Sequence, residues 1–170
     1  IMADEIIAAR VRELLHYDPT TGIFTRKIRT AQRHNVGDRA DFLVKSGNSA
    51  GYHRVSFDSK RYLAHRVVWL YVHGKWPDLD IDHINGDKGD NRLENLREVD
   101  RTTNLENQRS PKGENTSSGF LGVTVRNKCR YIAKIQTHGK SIHLGVFDSG
   151  LEAHAAYLVA KRKLHDGCTI

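Results

Sequence analysis

Residues 79–108 read LDIDHINGDKGDNRLENLREVDRTTNLENQ, and the order of elements in this stretch decides how the middle of the chain folds. Leu79 to Ile84 alternates apolar and acidic side chains, the two-residue period of a half-buried strand. Asn85-Gly86-Asp87 is a strong turn signal, because Asn and Asp side chains bond their own following backbone and Gly takes positive φ freely. After an irregular segment, Leu96 to Val99 returns as a second strand. Asp100 then suits the N-cap of a helix running to about Gln108. The predicted order is strand, long loop, strand, helix.

A calcium-binding loop is an alternative to test, since Asp, Asn and Gly alternate here. Such a loop needs oxygen donors at positions 1, 3 and 5 and glycine at 6. Counted from Asn85, position 5 is Gly89 and position 6 is Asp90; counted from Asp82, position 3 is Ile84. Both registers fail.

Upstream, Ile6, Ile7, Val11, Leu14 and Leu15 recur at helical spacing and predict a first helix over residues 3–16, closed by the turn Asp18–Gly22. Ile23 to Arg26 reads as a short strand. Residues 29–50 show no steady period and read as a mobile, basic loop. Gly51 to Phe57, the turn Asp58-Ser59-Lys60 and Arg61 to Leu63 form a hairpin signature, followed by a short helix from His65 to His73. Pro77 punctuates its end. Downstream, Ser110 to Gly119 has the composition of a linker. Three short strands follow, at Val123–Arg126, Arg130–Gln136 and Ser141–Leu144. A helix over residues 151–165 then presents Ala153, Ala156, Tyr157, Ala160 and Leu164 on one face.

Composition limits the classes. Hydrophobic residues make up 38% of the 170 and aromatics 8%, so the core is modest. No apolar run approaches the ~18 residues of a membrane span, and the amino terminus has no apolar signal segment. The expectation is a soluble cytoplasmic or intracellular protein without a membrane partner. Cys129 and Cys168 form no CxxC pair, which argues against a disulfide framework and a thiolate zinc site. The net charge of +7 points to a polyanion, with a solvated basic surface as the alternative. Residues 1–77 carry net +6 and residues 111–170 net +5, whereas residues 78–110 carry net −4. An acidic island between basic flanks suits a cation site set within a phosphate-holding surface; ordinary charge scatter gives the same pattern.

The chemistry in the opening stretch centres on Asp82-His83. Phosphodiester hydrolysis needs a water deprotonated near neutral pH, and positive charge on the phosphate and the leaving oxygen. Histidine matches the first task, with an unperturbed pKa of about 6.5. A divalent cation on oxygen ligands meets the second, and Asp82 is a hard anionic ligand. Neighbours on a strand point to opposite faces, so both serve one site only if the backbone turns or substrate lies between them. Alternatively, Asp82 and the asparagines are turn formers and His83 a surface histidine.

The run from Ala64-His65-Arg66 through Asp82-His83-Ile84-Asn85-Gly86 and Asp90-Asn91-Arg92-Leu93-Glu94-Asn95-Leu96-Arg97 to Asn104 and Asn107-Gln108 resembles the HNH endonuclease family, particularly its phage and intron homing members. The resemblance implies a ββα-metal site, with His83 as the general base and Asp82 and Asn104 as ligands of one Mg²⁺ or Mn²⁺. Asn95, twelve residues after His83, matches the middle Asn that pins the loop behind the histidine. The third position is Asn104 rather than a histidine, an H-N-N variant, and amide oxygen favours Mg²⁺ or Mn²⁺ over Zn²⁺. Arg66 either touches a phosphate or braces the acidic island; no role follows for His65. Asn85 and Asn91 read as turn residues, and Asn107 as a helix end or phosphate contact.

A second resemblance covers residues 118–167. Gly119-Phe120-Leu121-Gly122-Val123, Tyr131 to Ile135, His143 to Asp148 and Glu152 to Tyr157 look like the APETALA-type DNA-binding domain of plant ethylene-response factors. That family lays a three-stranded sheet, backed by a helix, in the DNA major groove. Alternation independently turns Val123, Val125, Tyr131, Ala133, Ile135 and Ile142 towards the helix. It turns Thr124, Arg126, Ile132, Lys134, Gln136, Ser141 and His143 outward. Arg126, Lys134, Gln136 and His143 can bond base edges or phosphates, and Lys128, Arg130 and Lys140 sit near turns where the DNA backbone runs. Lys134 and His143 depart from the plant pattern, so its target sequence does not carry over.

Together these readings predict an α+β chain. A nuclease region occupies residues 1–109, with its core at about 62–109; a linker spans 110–118 and a DNA-binding domain 119–170. The expected activity is metal-dependent cleavage of double-stranded DNA, a nick or a double-strand break leaving 5′-phosphate and 3′-hydroxyl, by a monomer or homodimer of homing or phage type. The alternative is a non-catalytic DNA-binding regulator that keeps a nuclease-like fold.

Overall fold

The opening helix α1 (Met2–Leu14) buries Ala8, Val11 and Leu14 along one stripe. It stops two residues short of the predicted end, because Leu15 starts strand β1 (Leu15–Asp18), where Leu15 and Tyr17 are buried and His16 exposed. Leu14 and Leu15 both satisfy a helical spacing, so the strand is masked in the sequence. The computed structural model describes residues 2–111, 117–127 and 129–170 and divides into two compact units, up to Val99 and Asp100–Ile170.

In the first unit β1 pairs antiparallel with β2 (Ile23–Arg26) across a turn in which the Asp18 carboxylate accepts from the hydroxyls of Thr20 and Thr21. The stretch 29–50, predicted as loop throughout, contributes strand β3 (Asp41–Leu43). Three residues are too few to show a period. Strand β3 pairs with β4 (His53–Phe57), which pairs with β5 (Lys60–Leu63) in the predicted hairpin. Asp58 and Ser59 turn that hairpin at φ 47° and 61°, the positive values that match two-residue turns to strand twist. Helix α2 (Ala64–His73) buries Val67, Val68 and Leu70 and ends where the left-handed Gly74 returns its N–H to the Leu70 carbonyl. Rings of Tyr17, Phe24 and Tyr71 pack together in the core, and Phe57, Tyr62 and Trp76 form a stack beside it.

Strand β6 (Asp80–His83) pairs antiparallel with β7 (Leu96–Val99), placing Asp82 opposite Arg97 and His83 opposite Leu96. The amino-terminal hairpin holds the loop between them. Buried Tyr17 donates its hydroxyl to the Asn91 carbonyl at 2.9 Å and accepts from the Leu93 N–H at 2.9 Å. Gly22, at φ +72°, lies so close that a Cβ there would meet the Arg92 nitrogen at 2.6 Å.

The second unit begins with helix α3 (Arg101–Glu106), capped as predicted by the Asp100 side chain on the Thr103 N–H and shorter than predicted. The unit division precedes α3, whereas the linker composition lies at 110–118, of which residues 112–116 fall outside the described residues. Three bonds tie the end of α3 to the carboxy-terminal segment. Glu106 accepts from the Gly167 N–H at 3.1 Å, Asn107 accepts from the Thr169 hydroxyl at 2.6 Å, and the Lys161 ammonium donates to the Gln108 carbonyl.

Strands β8 (Val123–Asn127), β9 (Arg130–Thr137) and β10 (Lys140–Phe147) form an antiparallel sheet in the order β10-β9-β8, covered by helix α4 (Gly150–Leu164). Val123, Ala133 and Ile135 are buried, as predicted for the helix side. Ile142 lies opposite Ile135 but on an edge strand, and it is exposed. A bulge between His143 and Gly145 resets the alternation, so Leu144 and Phe147 pack inward. The buried stripe of α4 is Gly150, Ala153, Tyr157 and Lys161 rather than one ending in Ala160 and Leu164. Lys161 tolerates burial because its ammonium has the Gln108 carbonyl to bond. A Cβ on Gly122 would overlap the Tyr157 ring.

The architecture is α+β, with small antiparallel sheets. Among the described residues no helix is long and apolar enough to cross a membrane.

Tyr17→Phe should lower stability by about 1–3 kcal/mol, because it strips partners from buried backbone groups of Asn91 and Leu93. A lower urea midpoint at unchanged m-value is the expected reading; an unshifted midpoint would show that the hairpin does not hold the loop.

Candidate active site

His83 ends β6 with its side chain almost fully buried. Its Nε2 lies 3.2 Å from Asn91 Oδ1, and the Asn91 amide nitrogen donates to the Gly89 carbonyl at 3.4 Å. With Oδ1 turned towards the ring, the neutral imidazole donates from Nε2, which leaves Nδ1 as its basic atom. Burial pushes the His83 pKa down; the bond to Asn91 and the carboxylates of Asp82, Asp87 and Asp90 oppose that shift.

Two rings wall His83. His65, from the first turn of α2, meets it edge-on at 5.1 Å, and Tyr52 packs against both histidines at 5.9 and 5.3 Å. His65 is buried, its Nδ1 has no hydrogen-bond partner, and burial drives its pKa to about 3. A neutral ring beside His83 adds no positive charge when His83 takes a proton.

Asp82 is buried too, with Arg97 Nε and Nη2 both 2.9 Å from its Oδ2. The antiparallel register sets this pair directly across the two strands. Asn95 ties the intervening loop: its Oδ1 accepts from the Asn85 N–H at 2.9 Å, its Nδ2 donates to the Asp90 carbonyl at 2.8 Å, and its carbonyl accepts from Ile84. Asn85 adds a bond from its own amide to the Asp90 carboxylate, and the Arg92 fork holds Asp90 at a pKa of about 2.

The structure thus places Asp82 and His83 in succession at the end of β6 and Asn95 at the close of the loop that follows, while Asn104 sits on α3 in the second unit. Arg66 spends two guanidinium nitrogens on the Leu79 and Pro77 carbonyls, bracing the connection between α2 and β6. On the sheet of the second unit Thr124, Arg126, Lys134, Gln136 and His143 are exposed; Lys134 pairs with His143, and Arg126 occupies the β8 bulge. Arg130 and Lys140 are exposed at strand ends, and Lys128 lies outside the described residues. Sequence reading missed Asn91, read as a turn former, and Tyr52. For Asn91 the signal was nearness to the Asp-His pair; Tyr52, distant in sequence, gave none, and the contacts that recruit both are tertiary.

Residues 62–108 match the HNH endonuclease family model. The matched segment runs from the end of β5 to just beyond α3 and contains Asp82, His83, Asn95 and Asn104. The chain is also similar to DNA endonuclease I-HmuI of Bacillus phage SP01, at 33% identity over 107 residues, covering 56% of this chain and 56% of that protein. It therefore spans about half the length of the curated relative it matches. No solved structure matches significantly. Among the described residues no group of three His, Cys, Asp or Glu side chains gathers to hold a metal.

His65 predicts a pH signature. Above pH 6.5 its ring is neutral folded and unfolded; as pH falls towards 3, the unfolded chain binds a proton that the folded one refuses. Stability is then lost at up to about 1.4 kcal/mol per pH unit. His65→Phe should remove that slope, so between about pH 6 and 4 the variant gains on wild type in urea unfolding; parallel pH curves would refute the burial of a neutral His65.

Proposed function

We propose that this chain is a metal-dependent DNA endonuclease of the HNH type, with His83 as general base. The observation that carries this reading is the His83 ring: buried, walled by His65 and Tyr52, committed through Nε2 to Asn91, and beside Asp82 in a segment that matches the HNH model.

His83 Nδ1 takes a proton from water as the water oxygen bonds to phosphorus and the bond to the 3′ oxygen breaks, and the departing 3′ oxygen takes a proton from solvent. Products are a 5′-phosphate and a 3′-hydroxyl. Asn91 bonds the imidazole at Nε2, the tautomer in which Nδ1 is the basic atom, and Asn95 bonds the backbone on either side of the loop. One carboxylate and one amide oxygen suit a hard cation that keeps water and phosphate oxygens in its shell, which matches Mg²⁺ or Mn²⁺ and not a zinc cage. Held on Asp82 and Asn104, such an ion would offset charge on the phosphate and the departing 3′ oxygen. Arg97 orients the Asp82 carboxylate.

The second unit is the recognition module in this reading, an APETALA-type sheet with Thr124, Arg126, Lys134, Gln136 and His143 towards DNA and Lys128, Arg130 and Lys140 near the phosphates. The substrate is double-stranded DNA, cut by a monomer or homodimer of homing or phage type.

Incubation of supercoiled plasmid with Mg²⁺ should give nicked or linear product, and EDTA should abolish it. His83→Ala should lose roughly 10²–10⁴-fold in rate. Plasmid left intact by wild type in every metal would favour a DNA-binding regulator, and full cutting by His83→Ala would remove His83 as the base. Lys134→Ala combined with Arg126→Ala should weaken DNA binding and leave the maximal single-turnover rate intact; unchanged affinity would reject the recognition sheet.

A further inference from the structure

Outside the pair Asp82-His83, the first unit holds a second histidine-carboxylate arrangement that its core does not require. Asp41, on β3, has a side chain only 1% exposed. One of its oxygens, Oδ1, accepts from the Phe24 backbone N–H at 3.2 Å and so belongs to the fold. The other, Oδ2, carries two side chains at once: Arg39 through Nη2 at 2.7 Å and Nε at 3.1 Å, and His53 through Nδ1 at 2.6 Å. One cation suffices to neutralise a buried carboxylate. The second side chain on the same oxygen is therefore more than charge balance at Asp41 requires.

Both side chains are aimed by Asp41 and neither is used up. Arg39 is half-exposed, and with Nε and Nη2 on Asp41 its Nη1 edge faces away from the carboxylate. His53, bound through Nδ1, presents Nε2 towards the loop that leads from His83 to Asn91: a Cβ on Gly89 would lie 3.9 Å from it. The same loop brings Lys88, whose ammonium rides over the Tyr52 ring at 4.8 Å. Tyr52 precedes His53 and is the ring packed on His83. Of the two carboxylates of this loop, Asp87 turns Oδ1 onto the Gly89 N–H at 2.8 Å, and Asp90 is held by Arg92 and Asn85. Thus Arg39, His53 and Lys88 line the rim beside the His83 wall. A guanidinium fork and an imidazole set on a buried carboxylate suit a phosphate oxygen better than a carboxylate-rich or neutral ligand.

We infer that Arg39 and His53, oriented by Asp41, bind a phosphodiester of the DNA backbone adjacent to the His83 site. This rests on the reading of the chain as a DNA-binding nuclease. It differs from it in placing a positioning contact on the first unit as well as on the sheet of the second. Binding here fixes the strand relative to Nδ1 of His83 without taking part in bond breaking.

The test measures affinity of the full chain for a short double-stranded DNA in EDTA, as a function of KCl concentration. Loss of one phosphate contact lowers the slope of log K against log salt by about 0.9. Arg39→Gln and His53→Gln should each weaken binding, Arg39→Gln with a reduced slope, whereas Arg39→Lys keeps the slope. His53→Gln carries the test should Arg39→Gln fail to fold. Wild-type slope and affinity in both Gln variants would overturn the site. Wild type that binds and shows these slope changes but cuts no DNA in Mg²⁺ would leave the phosphate site standing and sink the nuclease reading. Wild type that cuts, with unaltered binding in the variants, does the reverse.

Discussion

Everything at the candidate site depends on one side chain closing one loop. Between the paired ends of β6 and β7 the backbone makes an excursion from Ile84 to Arg92 that no strand partner supports. The Asn95 amide spans it, accepting from Asn85 on one side and donating to the Asp90 carbonyl on the other. An amide suits this task because it offers an acceptor and donors a little over 2 Å apart, and a carboxylate would lack the donor. With the loop closed, Asn91 is forced inward, where its own amide meets His83. The amino-terminal hairpin then locks the outside of the loop through Tyr17, whose burial raises its hydroxyl pKa to about 12 and keeps it a reliable donor.

The electrostatics follow from this scaffold. Carboxylates of the acidic island are sorted into different tasks by their partners. Asp90 is spent on Arg92 and the loop, and Asp82 faces Arg97 across the strand pair. The histidines are sorted in the same way. His65, in apolar and aromatic surroundings without a partner for Nδ1, stays neutral, whereas His83 has acidic neighbours that oppose its desolvation. Two similar residues acquire unlike behaviour from burial and charge alone.

Much of this organisation is legible in the sequence. The strand, loop, strand and capped helix of residues 79–108 follow from alternation, Asn-Gly and Asp100, and the spacing from His83 to Asn95 singles that asparagine out from its neighbours. Sequence falls short where the decisive partner is distant along the chain. Strand β1 hides because Leu14-Leu15 fits a helix as well as a strand. Strand β3 is short, and its Asp41 is buried only because Arg39 and His53 arrive to meet it. Lys161 occupies a buried helix position that any periodicity rule would give to Ala160 or Leu164, because a carbonyl at Gln108 receives its charge. At Asp41 and Lys161 a polar residue is buried through a bond that hydrophobic patterning does not register.

That last bond also says where this chain can be cut and rejoined. Glycine- and serine-bearing residues after Ser110 invite a splice, yet a chimera joined there would hand α4 to a new host while leaving Gln108, Asn107 and Glu106 behind. Lys161, Thr169 and Gly167 would then lose the groups they bond. Exchange of the carboxy-terminal module as a working cassette calls for a junction before Asp100, so that α3 travels with the sheet and helix that hold it.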